Sequence, residues 1–196
     1  AMVAKREIFR VREAGESGDI TVIHNLICSQ TVADVITENG GTPLRTQVGH
    51  SFIKDTMRDS GAVFGGEHSA HYYFRDFWGA DNGMLAALHV LSELGHADRP
   101  LSELVSEYSR YAESGEINSV VSDQGAVQEA VLGQFGDRGE VDRLDGLTIR
   151  GTTNNQFWWF NVRASNTEPL LRLNVEAETT SLMEQIRDEV LGIIRT

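Results

Sequence analysis

Glu67, Ser69 and His71 stand at alternate positions between the Gly65-Gly66 break and the aromatic run Tyr72-Tyr73-Phe74. On an extended backbone alternate side chains share one side, so a carboxylate, a hydroxyl and an imidazole would face a ligand together. Such a set suits sugar hydroxyls, because the carboxylate accepts two hydrogen bonds while the other groups donate or accept. A second group lies further along: Arg163 ends an apolar run and is followed by Ser165, Asn166 and Thr167 before Pro169 stops the turn. A guanidinium, two hydroxyls and an amide can each donate to phosphate oxygens. GGEHSAHYYF at 65–74 therefore reads as a hydroxyl clamp, and VRASNTEPLLRL at 162–173 as a phosphate cradle.

The elements that must position these groups follow two different grammars. Up to about Gly95, helical and strand periods alternate: a charged amphipathic helix over 3–14, a strand over 21–27, a helix over 31–38 stopped by Gly40-Gly41, and a strand over 43–48. A helix over 51–59, a strand over 62–65 and a helix from about 81 to 95, with Met84, Leu85, Leu88, Leu91 and Leu94 at helical spacing, continue the series. Alternation of this kind predicts a parallel sheet with helices on both faces, an α/β domain of three layers. After Pro100 come a helix over 101–111, a strand over 117–121 and a helix over 126–135. Strands over 145–150, 157–164 and 170–177 then follow without helices between them, the polar TTNNQ making a hairpin turn, and a helix over 181–195 closes the chain. Consecutive strands predict antiparallel pairing and a smaller α+β domain. The expected domains are 1–112 and 113–196, with a hinge between Gly95 and Gly115.

Composition narrows the function. The 196 residues, 40% of them hydrophobic, suffice for one large or two small cores. A net charge of -12 argues against a nucleic-acid partner, since counterion release needs a surface rich in Lys and Arg, so an anionic ligand has to be captured locally. No apolar run approaches a bilayer span and residues 1–19 lack the apolar core of a signal peptide, which leaves a cytoplasmic protein without a membrane partner as the expectation. The single cysteine, Cys28, excludes an internal disulfide and supplies too few thiolates for the usual zinc site; within VIHNLICS its expected role is packing.

The residues at 45–74, RTQVGHSFIKDTMRDSGAVFGGEHSAHYYF, followed by WGADNGMLAALHVL at 78–91, resemble the third domain of the bacterial phosphomannomutase/phosphoglucomutase branch of the α-D-phosphohexomutases. VRASNTEPLLRLNVEA at 162–177 resembles the phosphate-binding loop of their fourth domain. Gly66, Glu67, His68, Ser69, Ala70 and His71 match the family's sugar-recognition loop, with Ala70 in place of a second glycine. The resemblance implies that Glu67 and Ser69 contact the hexose 3- and 4-hydroxyls and that His71 lies beside the transferring phosphoryl group. It makes His50 and His71 the catalytic pair and Lys54 a substrate-binding group, His50 and Lys54 sharing one helix face. Arg163, Ser165, Asn166 and Thr167 would hold phosphate. Where many members carry a basic Lys-Cys-Thr-Arg segment, this chain has Ile27, Cys28, Ser29 and Gln30.

Family members have a phosphorylated serine in a first domain and an Asp-rich magnesium loop in a second. Neither motif occurs in this sequence, so the resemblance implies the C-terminal half of such an enzyme, partnered by its N-terminal half and acting on mannose or glucose 1- and 6-phosphates. Magnesium would serve the intact enzyme through ligands outside this chain, with none bound here, and the chain alone would be inactive. A free-standing sugar-phosphate binding module and a phosphoglucosamine mutase fragment stand as alternatives. Simpler readings also exist for single residues. Glu67, His68 and His71 hold the donors of a metal cluster, Lys54 alone is an ordinary solvated helix charge, and Arg163 alone caps a strand. His24, His89 and His96 read as surface or packed histidines, and strand alternation sends one of Trp158 and Trp159 to the core and the other to solvent.

Overall fold

The apolar run ITVIHN forms strand β1 (Ile20–Asn25) and is buried along nearly its whole length, as expected of a strand flanked by parallel neighbours and covered on both faces. The structure is a computed structural model describing residues 1–165 and 168–196. It divides into two compact units, Ala1–Arg110 and Tyr111–Thr196.

In the first unit, helix α1 (Met2–Glu13) precedes β1, helix α2 (Gln30–Glu38) leads to strand β2 (Gly41–Thr46), and helix α3 (His50–Ser60) leads to strand β3 (Phe64–Gly66). Strands β4 (Tyr72–Phe74) and β5 (Ala80–Asp81) follow, then helices α4 (Gly83–His96) and α5 (Leu101–Ser106). The sheet order is β2-β1-β3-β4-β5, with β1 parallel to both β2 and β3 and the last two strands antiparallel. Between β2 and β3 the chain crosses β1, and the helices fall on opposite faces. Val22 packs in one core with Ile8 of α1, Ile36 of α2 and Ala86 of α4, whereas Ile23 packs on the other face with Ile53 and Met57 of α3. A crossing of this kind leaves a crevice beyond the carboxyl ends of the strands, where ligands of open α/β sheets bind.

Several expectations are revised. Helix α5 is shorter than 101–111, ending at Ser106. The segment at 27–30, which lacks the basic residues of many family members, leads into a helix: Ser29 caps α2 by accepting from the Thr31 N–H at 3.2 Å, and Gln30 bonds Asp34 at 2.8 Å. Helix α4 buries Ala86 and packs Leu85 and Val90 against the α1 core, so Met84, Leu88 and Leu91, although helically spaced, lie on its exposed side.

The second unit contains strands β6 (Ala112–Glu113) and β7 (Ile117–Val120), helix α6 (Gln124–Phe135), strands β8 (Gly139–Asp142), β9 (Leu147–Thr153), β10 (Gln156–Ala164) and β11 (Leu170–Ala177), and helix α7 (Thr180–Ile194). Strands β8 to β11 pair antiparallel in chain order, with β6 and β7 both on β11. Asn154 and Asn155 join β9 to β10 with φ of 52° and 63°; two left-handed residues in a row make the hairpin turn whose twist matches the strands, and asparagine tolerates that conformation. Trp158 and Phe160 stack at 6.0 Å, and Phe135 of α6 meets both rings edge-on. Both tryptophans are buried, contrary to the expected alternation: Trp158 lies in the core, while the Trp159 N–H donates to buried Glu176 and its ring lies under the Arg150 guanidinium.

Candidate active site

Three segments of the first unit bring polar side chains together: the start of α3, the turn from β3 to β4, and β5. Glycine at position 49 has φ of 132° and ends the connection from β2, so α3 begins at once with His50. The segment at 67–71 is a tight turn, not an extended strand, because the Ala70 N–H donates to the Glu67 carbonyl at 3.1 Å and the Glu67 N–H to the His71 carbonyl at 2.9 Å. The three clamp residues therefore do not share one side. Ser69 is exposed at the turn, Glu67 is 6% exposed, and His71 is partly exposed.

Glu67 points inward and fastens the site. One carboxylate oxygen accepts from the Gly49 N–H at 3.1 Å, and the other from the Tyr73 hydroxyl at 2.9 Å. The same hydroxyl meets His50 Nδ1. His71 lies edge-on to His50, ring centres 4.4 Å apart, and its Nδ1 meets Asp81 Oδ2 at 2.6 Å. The other Asp81 oxygen accepts from the Tyr72 N–H at 2.8 Å. The structure thus unites His50, Glu67 and His71 through Tyr73 and Asp81, two residues outside the sequence-based set. Burial, then the hydrogen bond to Glu67 and the charges of Glu67 and Asp81, push the Tyr73 phenol well above its usual pKa, so it keeps its proton. For Asp81, burial is the largest single influence and raises its pKa. The bonds from Tyr72 and His71, with the charges of both histidines, outweigh it and hold the carboxyl below its ordinary value.

Lys54, one turn into α3, lines a hollow of about 530 Å³ with Arg58, Arg75 and Trp78. Glu67 and His68 line a different, largely apolar hollow of about 430 Å³, together with Cys28 and Tyr72. Among the described residues His50, His71 and Asp81 are a group whose donor atoms lie within 4.8 Å of one another. Two ring nitrogens and one carboxylate oxygen do not fit magnesium, which takes oxygen ligands in octahedral array. His71 and Asp81 are hydrogen-bonded, and His50 and His71 are ring neighbours.

Ala70 has φ of 64°, a left-handed conformation that glycine adopts more readily. A side chain in that region costs about 1–2 kcal/mol, partly offset in glycine by its larger unfolded-state entropy of about 0.5–1 kcal/mol. Ala70→Gly is expected to stabilise the chain by about 0.5–1 kcal/mol in urea denaturation; a loss of stability would contradict this account of the turn.

In the second unit Arg163 lies next to the last residue of β10 and Ser165 directly follows the strand. The Ser165 N–H donates to the Leu170 carbonyl at 2.8 Å, closing the mouth of the loop, and Asn166 and Thr167 lie outside the described residues. Gln128 of α6 donates to the Val162 carbonyl at 2.9 Å and Gln124 to that of Leu170 at 3.0 Å, fixing both strand ends. Arg163 is directly opposite Arg172 on β11. Glu116 lies between the guanidiniums, 3.9 Å from Arg163 and 3.5 Å from Arg172. Arg172 was recognisable only through the hairpin register, since nothing in its local sequence marks it.

Comparison with known proteins agrees with this architecture. Residues 1–111 match the model of phosphoglucomutase/phosphomannomutase, alpha/beta/alpha domain III, and residues 116–193 that of the phosphoglucomutase/phosphomannomutase C-terminal domain. A phosphomannomutase of Methanocaldococcus jannaschii is 37% identical over 91% of this chain and 39% of its own length. One from Escherichia coli K12 is 40% identical over 87% of this chain and 37% of its own. A crystal structure described as a phosphoglucomutase/phosphomannomutase family protein from Burkholderia thailandensis has a TM-score of 0.78 at 25% identity, covering 98% of this chain and 41% of that one. The chain thus spans about two fifths of the length of the relatives it matches. With domain III in its first unit and the C-terminal domain in its second, the chain belongs to the phosphoglucomutase/phosphomannomutase family of α-D-phosphohexomutases.

Proposed function

We propose that the chain is the sugar- and phosphate-binding part of a phosphomannomutase/phosphoglucomutase that interconverts hexose 1-phosphate and hexose 6-phosphate. In this scheme a phosphoserine of the N-terminal half gives its phosphoryl group to one end of the sugar phosphate. The bisphosphate turns around, and the other phosphate returns to serine. The observation that supports the reading best is the pairing of two histidines, His50 and His71, each held by its own hydrogen-bond partner next to the recognition loop. Attack by a sugar hydroxyl needs a group to take its proton, and a positioned imidazole is the usual choice.

The remaining assignments divide the substrate. The Glu67 carboxylate has lone pairs beyond its two internal bonds with which to accept from sugar hydroxyls, and Ser69 is exposed on the same turn. A site built on such bonds discriminates strongly against ligands that lack the hydroxyl. Lys54 adds a cation, and Arg163, Ser165, Asn166 and Thr167 take the non-reacting phosphate, supplying remote binding energy that positions the reacting end. Magnesium of the intact enzyme is assigned to residues outside this chain.

A mutase assay on the intact polypeptide, with mannose, glucose and glucosamine phosphates, tests the reading. Turnover of mannose or glucose 1-phosphate is expected from the intact protein and none from residues 1–196 alone. An intact protein that binds hexose phosphate without converting it would instead be a binding module.

A further inference from the structure

We propose that Asp81 and Tyr73 are positioning residues that lock both imidazoles as the Nδ1–H tautomer, so that Nε2 of His71 is the atom that receives the sugar hydroxyl's proton. The inference rests on the mutase reading for its chemical consequence, but its structural content stands on the hydrogen-bond pattern alone.

The argument follows from counting protons. An ionised carboxylate only accepts hydrogen bonds. Asp81 Oδ2 is 2.6 Å from His71 Nδ1, and Oδ1 already takes the Tyr72 N–H at 2.8 Å. His71 Nδ1 must therefore carry a hydrogen, and in the neutral ring Nε2 then bears the lone pair. For His50 the reasoning passes through one more residue. The Tyr73 phenol has a single proton and donates it to Glu67, whose other oxygen is occupied by the Gly49 N–H. Tyr73 can then only accept from His50, which places a hydrogen on His50 Nδ1 and the lone pair on Nε2. The raised pKa of Tyr73 and the lowered pKa of Asp81 agree with a phenol that keeps its proton and a carboxylate that has lost its own.

A base fixed in this way needs no tautomer change before it acts. The sugar O–H bond breaks as the proton passes to His71 Nε2, and the oxygen's electron pair forms the new bond to phosphorus of the phosphoserine donor. The displaced pair stays with the serine oxygen. The resulting imidazolium keeps its Nδ1–H on the Asp81 carboxylate, whose negative charge stabilises it. The position of Asp81 explains why it can do this: it pairs across β4 and β5 with Tyr73, two residues beyond the end of the recognition turn.

Two substitutions reverse the pattern independently. In Asp81→Asn the amide oxygen stays on the Tyr72 N–H, so its NH₂ faces His71 and drives that ring to Nε2–H. In Glu67→Gln the amide oxygen stays on the Gly49 N–H and its NH₂ donates to Tyr73, which turns its proton to His50 and drives that ring to Nε2–H. Long-range ¹H–¹⁵N spectra of the chain, recorded above the imidazole titration range, read both tautomers directly. The expected result is Nδ1–H for both rings in the parent, reversal of His71 alone in Asp81→Asn, and reversal of His50 alone in Glu67→Gln. An Nε2–H parent ring, or variants that leave the tautomers unchanged, would overturn the proposal. If Asp81→Asn fails to fold, the parent spectrum and Glu67→Gln decide it. In the intact polypeptide Asp81→Asn is expected to lower kcat by about 10²–10⁴-fold with KM nearly unchanged, and Asp81→Glu to recover part of the loss. A parent polypeptide without mutase activity would defeat the mutase reading while leaving the tautomer result intact, so the two failures are distinguishable.

Discussion

His71→Ala in the intact polypeptide is expected to reduce kcat for hexose phosphate conversion by about 10²–10⁴-fold, the usual contribution of a positioned acid or base, with KM changed much less. The ring is 40% exposed and makes its polar contact to Asp81, itself partly exposed, so its removal leaves no deeply buried partner unsatisfied. Thermal unfolding should therefore be close to that of the parent, which separates loss of chemistry from loss of fold. The two rings are only 4.4 Å apart, and two imidazolium charges at that separation would repel. Steady-state rates within about threefold of the parent would remove His71 from the proton-transfer role.

The largest stability effect is expected at Trp158. Its indole is fully buried, stacks on Phe160, meets Phe135 edge-on, and donates its ring N–H to Thr153 at 2.9 Å. Trp158→Ala removes the ring and leaves a cavity between β10 and α6, with an expected loss of about 3–5 kcal/mol. Gly151 shows how closely the strand has adapted to that ring, because a Cβ there would lie 2.5 Å from the indole. Equilibrium urea denaturation followed by circular dichroism measures the change. A loss under about 1 kcal/mol would mean that the second unit repacks around the gap and that its core is less specific than its contacts imply.

The parts of this fold legible in the sequence are those whose signal is local. The β1–α2–β2–α3 series announces itself through period and stop residues, and the Asn154-Asn155 turn through its chemistry. Strands β4 and β5 do not, since runs of three and two residues have no period to detect and exist only by pairing with β3 and each other. That omission accounts for the missed site residues. Tyr73 sits in an aromatic run that reads as core, and Asp81 sits beside Asn82, the true cap of α4, so it reads as a helix start. Their relation to His50 and His71 is a matter of register across β4 and β5, which spacing along the chain cannot reveal. The clamp motif was found, but the turn that Ala70 closes redirects its side chains.

Glu116 gives the second unit a built-in competitor for any anion. With its carboxylate between Arg163 and Arg172, the guanidinium pair is partly neutralised before a ligand arrives, and the like charges facing each other across β10 and β11 tolerate their closeness. If this loop takes phosphate as proposed, capture there would be an ion exchange rather than the filling of a bare positive hole. The exchange lowers the net gain from the incoming charge, and on departure the carboxylate is at hand to reoccupy the cations. Under the proposed mutase cycle, in which the ligand lets go, reverses end for end and is held again, modest grip with a ready replacement would favour turnover over tight retention.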